Sequence, residues 1–222
     1  MSLWIKICGN TSAADALLAV DAGADAVGFV FANSPRRVTE SEAAAIVARL
    51  PKTVETIGVF ADATVEEIYS AVRMGHLTGV QLHWDAASDL PAQLKSHLGQ
   101  QIRVLRVVHF GDGVGEKVAA YEKDPNVDGL LIDSRSAAAA GGTGQAYDWD
   151  LAAKTLFKNA KARKLVVAGG LTPENVGEAI TALRPWGVDV VSGVEAEPGR
   201  KDPIKVREFV KRARAAAANQ AS

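Results

Sequence analysis

The residues best suited to chemistry sit at the ends of short apolar runs. Lys6-Ile7-Cys8-Gly9-Asn10 closes one run and Leu130-Leu131-Ile132-Asp133-Ser134 closes another. A thiolate is a strong nucleophile and a usable base, and a carboxyl that keeps its proton is a general acid. If each run is a β-strand, its side chains alternate between two faces. Lys6 and Cys8 then share one face while Ile5 and Ile7 share the other, and Leu131 and Asp133 go together. In Val80-Gln81-Leu82-His83-Trp84 the same parity pairs Gln81 with His83. Taken alone, Cys8 is more often a structural group, since cysteine is among the most buried residue types. Asp133 could equally cap a helix or satisfy a turn, and a lone histidine is more often packed or solvated than catalytic.

Groups that could hold an anion lie beyond other runs. Asn33-Ser34-Pro35-Arg36-Arg37 brings two guanidinium groups that could clamp a carboxylate or phosphate through paired hydrogen bonds, or simply form a solvated loop. Three glycine-containing segments follow: Gly141-Gly142-Thr143-Gly144, Gly169-Gly170-Leu171 and Ser192-Gly193-Val194-Glu195. Glycine lets backbone N–H groups come close to an anion, and helix N-termini favour negative charge. Each segment also suits an ordinary turn; together they predict a phosphate site. None has the spacing of a nucleotide-binding loop, so no nucleotide cofactor is expected. His76, His97 and His109 show no partner spacing, and no His/Cys/Asp/Glu cluster suits a metal ion, so none is predicted.

What must position these groups is an alternation of elements. Apolar runs over residues 3–8, 26–31, 56–60, 79–83, 102–107, 129–133, 164–168 and 188–191 are rich in Val, Ile and Leu. Nearly continuous apolar strands suit a parallel sheet covered on its outer face. Helical signatures lie between them, including stretches over 13–22, 43–50 and 205–216. Thr39-Glu40-Ser41-Glu42 and Thr64-Val65-Glu66-Glu67 read as capping boxes, and Thr172-Pro173-Glu174 reads as a cap followed by proline at the first helical position. The alanine-rich end, 215–222, is expected to fray. The fold class is α/β: a single (β/α)8 TIM barrel over residues 1–222, with an open doubly wound sheet as the runner-up. A barrel of this kind carries its active site at the C-terminal ends of its strands, often with phosphate after strands seven and eight.

Composition sets the outer bounds. The chain has 222 residues, 48% of them hydrophobic, enough to bury a full core. A net charge of −1 gives no global field for nucleic acid or an anionic membrane. One cysteine cannot form an internal disulfide, which fits a reducing, cytoplasmic setting. The first residues lack the features of a signal peptide, and no run approaches the roughly 18 consecutive apolar residues of a membrane span. Monomer and homodimer both remain open.

The motifs, taken together and in order, strongly resemble the phosphoribosylanthranilate isomerase family. They are Lys6-Ile7-Cys8-Gly9, Gly28-Phe29-Val30-Phe31, Ser34-Pro35-Arg36, Gly58-Val59-Phe60, Gln81-Leu82-His83, Asp133-Ser134 and Gly141-Gly142-Thr143-Gly144. Asp148-Trp149, Gly169-Gly170-Leu171 with Pro173-Glu174-Asn175, Ser192-Gly193-Val194-Glu195, Pro198-Gly199 and Lys201-Asp202 complete the set. The resemblance implies a cofactor-free Amadori rearrangement in tryptophan biosynthesis, with Cys8 as general base and Asp133 as general acid. It further implies Arg36, or its neighbour Arg37, on the substrate carboxylate. Lys6, Gln81, His83 and Asp189 are expected as further substrate contacts, and Gly144, Gly169, Gly170, Ser192 and Gly193 around the phosphate. The thiol pKa is expected to be lowered from its free value of ~8.5, with Lys6 helping to stabilise the thiolate. The chain departs from the family at Trp84, where glycine is usual, and at Val191, where serine is usual. Trp84 would pack beneath its loop or crowd the mouth. Two other readings are a lyase-type phosphate-binding barrel and a non-catalytic paralogue. A Schiff-base aldolase would want an inward lysine on a middle strand, which the runs between the third and the seventh lack.

Overall fold

The computed structural model describes residues 2–134, 149–158 and 164–220. Eight parallel strands close into a barrel in sequential order. They are β1 (Trp4–Ile7), β2 (Ala26–Val30), β3 (Glu55–Phe60), β4 (Gly79–Leu82), β5 (Arg103–His109), β6 (Gly129–Asp133), β7 (Leu165–Ala168) and β8 (Gly187–Val190). The helices are α1 (Ala13–Asp21), α2 (Glu40–Val47), α3 (Val65–Gly75), α4 (Leu90–Leu98), α5 (Val114–Tyr121), α6 (Trp149–Thr155), α7 (Val176–Leu183) and α8 (Pro203–Asn219). After β8 the chain forms a single 3₁₀ turn, Ser192–Val194, and then a short antiparallel ribbon of β9 (Glu195–Glu197) and β10 (Arg200–Lys201). The barrel is thus the α/β architecture expected, and the open-sheet alternative falls with its closure. No helix among the described residues is long and apolar enough to cross a membrane.

Period-two alternation divides the strand residues into two cores. Ile5, Ile7, Val27, Phe29, Val80, Leu82, Val188 and Val190 join the layer between barrel and helices. Trp4, Ala26, Ile57, Leu105, Val107, Leu131, Val166 and Ala168 fill the barrel itself. Trp4, at the start of β1, stacks on Trp186 with ring centroids 5.1 Å apart and closes the N-terminal end. The apolar filling stops where Lys6, Cys8, Gln81, Asp133 and Asp189, all buried, take over the inward positions.

The capping boxes of Thr39 with Glu42 and Thr64 with Glu67 both form and start α2 and α3. Two helix expectations need correction. The helix after β7 begins at Val176, not at Pro173, because Thr172 and Asn175 close a turn. The Thr172 N–H donates to Asn175 Oδ1 at 2.8 Å, and Thr172 O accepts from Asn175 and Val176. The alanine-rich end does not fray at residue 215. Alanine has the highest helix propensity, Ala213 is fully buried, Ala216 and Ala217 pack on the core, and α8 continues to Asn219.

Candidate active site

β1 delivers Lys6 and Cys8 to the barrel interior, as parity requires. Lys6 is fully buried. Its ammonium donates to Gln81 Oε1 at 2.9 Å and to Asp189 Oδ1 at 2.8 Å, so three strands meet at one cation. It also interacts with the sulfur of Cys8. Burial alone would lower the Lys6 pKa, but Asp189 and Cys8 outweigh it and hold the ammonium above its ordinary value. Lys6 and Gln81 therefore engage each other beneath the mouth. Asp189 has one oxygen on the same cation.

Cys8 sits one step higher and is 2% exposed. Burial pushes its thiol up, opposed by the nearby charges of Lys6 and Lys201. The expectation of a lowered thiol pKa is overturned: desolvation of the thiolate wins over both cations. Room for the sulfur comes from β2. A Cβ at Gly28 would stand 2.4 Å from Cys8 Sγ and 3.0 Å from Lys6 Cε, so any side chain there would displace both.

Asp133 ends β6 on the same inner surface, 1% exposed. In the closed strand order only β7 and β8 separate it from β1. It stands in register with His109 on one side and Ala168 on the other. His83 also reaches the mouth, its ring centroid 5.4 Å from that of His109 in an edge-on arrangement. His109 thus has His83 as a ring neighbour. Sequence spacing missed the pair because β4 and β5 bring together residues 26 positions apart. Trp84 turns the other way and packs against the outer core, leaving the mouth uncrowded.

The glycine segments after β7 and β8 touch. A Cβ on Gly193 would lie 1.9 Å from the Leu171 carbonyl oxygen, so the two loops can approach this closely only with glycine there. Gly169 and Gly170 both have positive φ, +78° and +66°. Among the described residues, no hydrogen bond takes up the N–H groups of Gly170 or Ser192. Gly144 and its segment lie outside the described residues.

Arg36 is half-buried and Arg37 exposed. Arg36 forms a bidentate ion pair that the sequence reading did not anticipate, Nε to Glu195 Oε1 at 2.8 Å and Nη2 to Glu195 Oε2 at 2.6 Å. Glu195 also accepts from Lys201, whose ammonium donates to the Cys8 carbonyl oxygen at 2.6 Å. Glu195 and Lys201 had been singled out only as parts of motifs. Arg106 is a further buried cation that no sequence motif marks. Arg106, on the outer face of β5, holds the loop after β4 through Ala86 O and Ala87 O and lies 4.4 Å from the Tyr121 ring. A charged residue inside an apolar strand was the available signal. Among the described residues, no three His, Cys, Asp or Glu side chains group as metal ligands.

A buried thiol and a buried carboxyl thus share one barrel mouth, with an anion-ready loop pair after β7 and β8 and an arginine after β2. The chain matches the family model described as N-(5'phosphoribosyl)anthranilate (PRA) isomerase over residues 5–212. A relative named N-(5'-phosphoribosyl)anthranilate isomerase from Pelobacter propionicus is 44% identical over 208 residues, covering 93% of each chain. The crystal structure of phosphoribosyl anthranilate isomerase from Thermotoga maritima superposes with a TM-score of 0.84 at 36% identity, covering 96% of this chain and 99% of that one. A crystal structure of phosphoribosyl anthranilate isomerase in complex with reduced 1-(o-carboxyphenylamino)-1-deoxyribulose 5-phosphate gives a TM-score of 0.80 at 34% identity over 96% and 99% of the two chains. The chain belongs to the N-(5'-phosphoribosyl)anthranilate isomerase family.

Proposed function

We propose that this chain converts N-(5-phosphoribosyl)anthranilate into 1-(2-carboxyphenylamino)-1-deoxyribulose 5-phosphate, with Asp133 as general acid and Cys8 as general base. The observation that carries this reading is the pair itself: a buried thiol beside a buried ammonium, facing a buried carboxyl across one mouth. Asp133 protonates the furanose ring oxygen, and the ring C–O bond breaks as the amine nitrogen donates its lone pair to give an iminium. The iminium acidifies the proton on C2′. Cys8, as thiolate, removes that proton, and the electron pair forms an enolamine. Protonation at C1′ and loss of the C2′ hydroxyl proton complete the ketone. C1′ is reduced and C2′ oxidised within one molecule, so no cofactor enters.

The thiolate must be reached against burial, and Lys6 and Lys201 are the cations that favour it. Lys6 is spent on this and is fully buried, which argues against a role as a Schiff-base nucleophile. The phosphate is assigned to the loops carrying Gly169, Gly170, Ser192 and Gly193, whose N–H groups can converge on an anion. The anthranilate carboxylate is assigned to Arg36, since Arg37 is exposed and bridges in parallel to Val30 through its backbone. His83 and Asp189 are left to face the sugar.

The test follows the loss of anthranilate-type fluorescence as substrate is consumed. Wild type turns over, while Cys8→Ser and Asp133→Asn fall by about two to four orders of magnitude, the usual contribution of a proton-transfer group. Equal rates in all three proteins overturn the assignment.

A further inference from the structure

Two segments of the barrel mouth, the loop after β2 and the ribbon after β8, are tied by one charge cluster in which Glu195 and Lys201 touch neither Asp133 nor the Cys8 sulfur by any hydrogen bond among the described residues. Arg36 comes from the loop after β2, Glu195 from β9 and Lys201 from β10. The two ion pairs join side chains of which Glu195 is 4% exposed and Lys201 not at all. The Lys201 ammonium has three N–H donors, and all three find oxygen: Cys8 O at 2.6 Å, Val191 O at 3.3 Å and Glu195 Oε1 at 3.2 Å. It therefore clasps the end of β1, at Cys8, to the end of β8.

The Arg36 side chain lies across Gly9, directly after Cys8. A Cβ on Gly9 would be 2.8 Å from Arg36 Cδ, and Gly9 also has φ +74°. Glu195 occupies the edge of the guanidinium formed by Nε and Nη2. A guanidinium has a second edge, between Nη1 and Nη2, that can take another planar carboxylate in the same bidentate manner. No hydrogen bond among the described residues engages Nη1. The cluster also holds two cations against one carboxylate.

We infer that Glu195 and Lys201 are positioning residues: Glu195 fixes Arg36 so that its open edge receives the arylamine carboxylate, and Lys201 anchors the same carboxylate to the backbone of Cys8. The inference rests on the isomerase reading of Arg36. It predicts that recognition of the carboxylate and placement of the thiol are coupled through one side chain.

The experiment compares two substrates, the phosphoribosyl adducts of anthranilate and of aniline, which differ only in the ring carboxylate. Wild type prefers the carboxylated one, and Glu195→Gln reduces that preference in KM by about tenfold, the scale of one charge-assisted hydrogen bond. Lys201→Met slows alkylation of Cys8 by iodoacetamide, and Lys201→Arg restores part of the rate. The same substrate comparison is made by equilibrium binding in a Cys8→Ser background, which needs no turnover. Should Glu195→Gln fold poorly, Glu195→Asp withdraws the carboxylate by one methylene and gives the same loss of preference. Equal weakening toward both compounds, or none, overturns the inference. If wild type turns over neither compound but binding still distinguishes them through Glu195, the isomerase reading fails and the positioning role stands.

Discussion

The two ends of the barrel solve opposite problems with similar residues. At the N-terminal end Trp4 and Trp186 stack, Arg103 lies 5.5 Å over the Trp186 ring, and Arg103 pairs with Glu55. Those charges keep about a quarter of their side-chain surface in water. At the C-terminal end Lys6, Asp189, Glu195 and Lys201 are almost wholly buried. An exposed pair is worth little and costs little. A buried charge is tolerable only while each partner remains in place. The lower end is therefore a plug that could be rebuilt from apolar residues, whereas the upper end spends stability on holding polar groups in a fixed array.

The sharpest way to break this contrast is Lys6→Met. It removes the cation shared by Gln81 and Asp189 and leaves a buried carboxylate unpaired, so the fold should lose about 3–5 kcal/mol. Because Lys6 opposes the upward push of burial on the thiol, its loss moves the alkylation pKa of Cys8 further up. Chemical denaturation reads the first effect and pH-dependent alkylation the second. An unchanged alkylation pKa removes Lys6 from the account of the thiolate.

Trp4→Ala makes the complementary test at the plug. Loss of a buried indole costs roughly 3–5 kcal/mol, comparable in stability but without a catalytic signature. Turnover per folded molecule should stay near wild type. A large fall in kcat would mean that the plug shapes the site and that the two ends are not separable.

A weaker effect comes from acid. Burial raises the Glu195 pKa, but Arg36 and Lys201 outweigh it and hold the carboxyl below the usual carboxylate range. A depressed folded value means that its stabilisation is complete above the unfolded value of about 4.3 and is lost as pH falls through the folded value. Wild type should then lose stability more steeply than Glu195→Gln below about pH 4. Parallel acid curves would show that the pair contributes nothing to folding.

How much of this was legible in the sequence follows from contact distance along the chain. Strand parity is local, so Lys6, Cys8, Gln81, Asp133 and Asp189 could all be pointed inward from neighbouring residues alone. The capping boxes are local too. Thr172 looked like a helix cap because cap and turn use the same side chains, and only Asn175 closing back on Thr172 distinguishes them. The Arg36–Glu195 pair joins residues 159 positions apart, and Lys201 reaches Cys8 across 193. No periodicity records such pairs. The thiol pKa was misjudged for a related reason. The sequence displays the helpful lysine, but the depth of burial that overrides it belongs to the assembled barrel.

The smallest expected effect is at the plug's own ion pair. Glu55 Oε1 accepts from Trp4 Nε1 at 3.2 Å as well as from Arg103 Nη2 at 3.0 Å. Glu55→Gln keeps an acceptor for the indole and removes only the charge. With both side chains about a quarter exposed, water screens the pair, and the loss should be no more than about 1 kcal/mol. The Lys6–Asp189 pair has the same formal charges and only a single contact, at 2.8 Å, yet the cost predicted there is several times larger. Burial makes the larger part of the difference, since it leaves Asp189 without water once Lys6 is gone. Thermal denaturation of Glu55→Gln beside Lys6→Met measures it directly, and equal losses would show that burial does not set the worth of charge in this barrel.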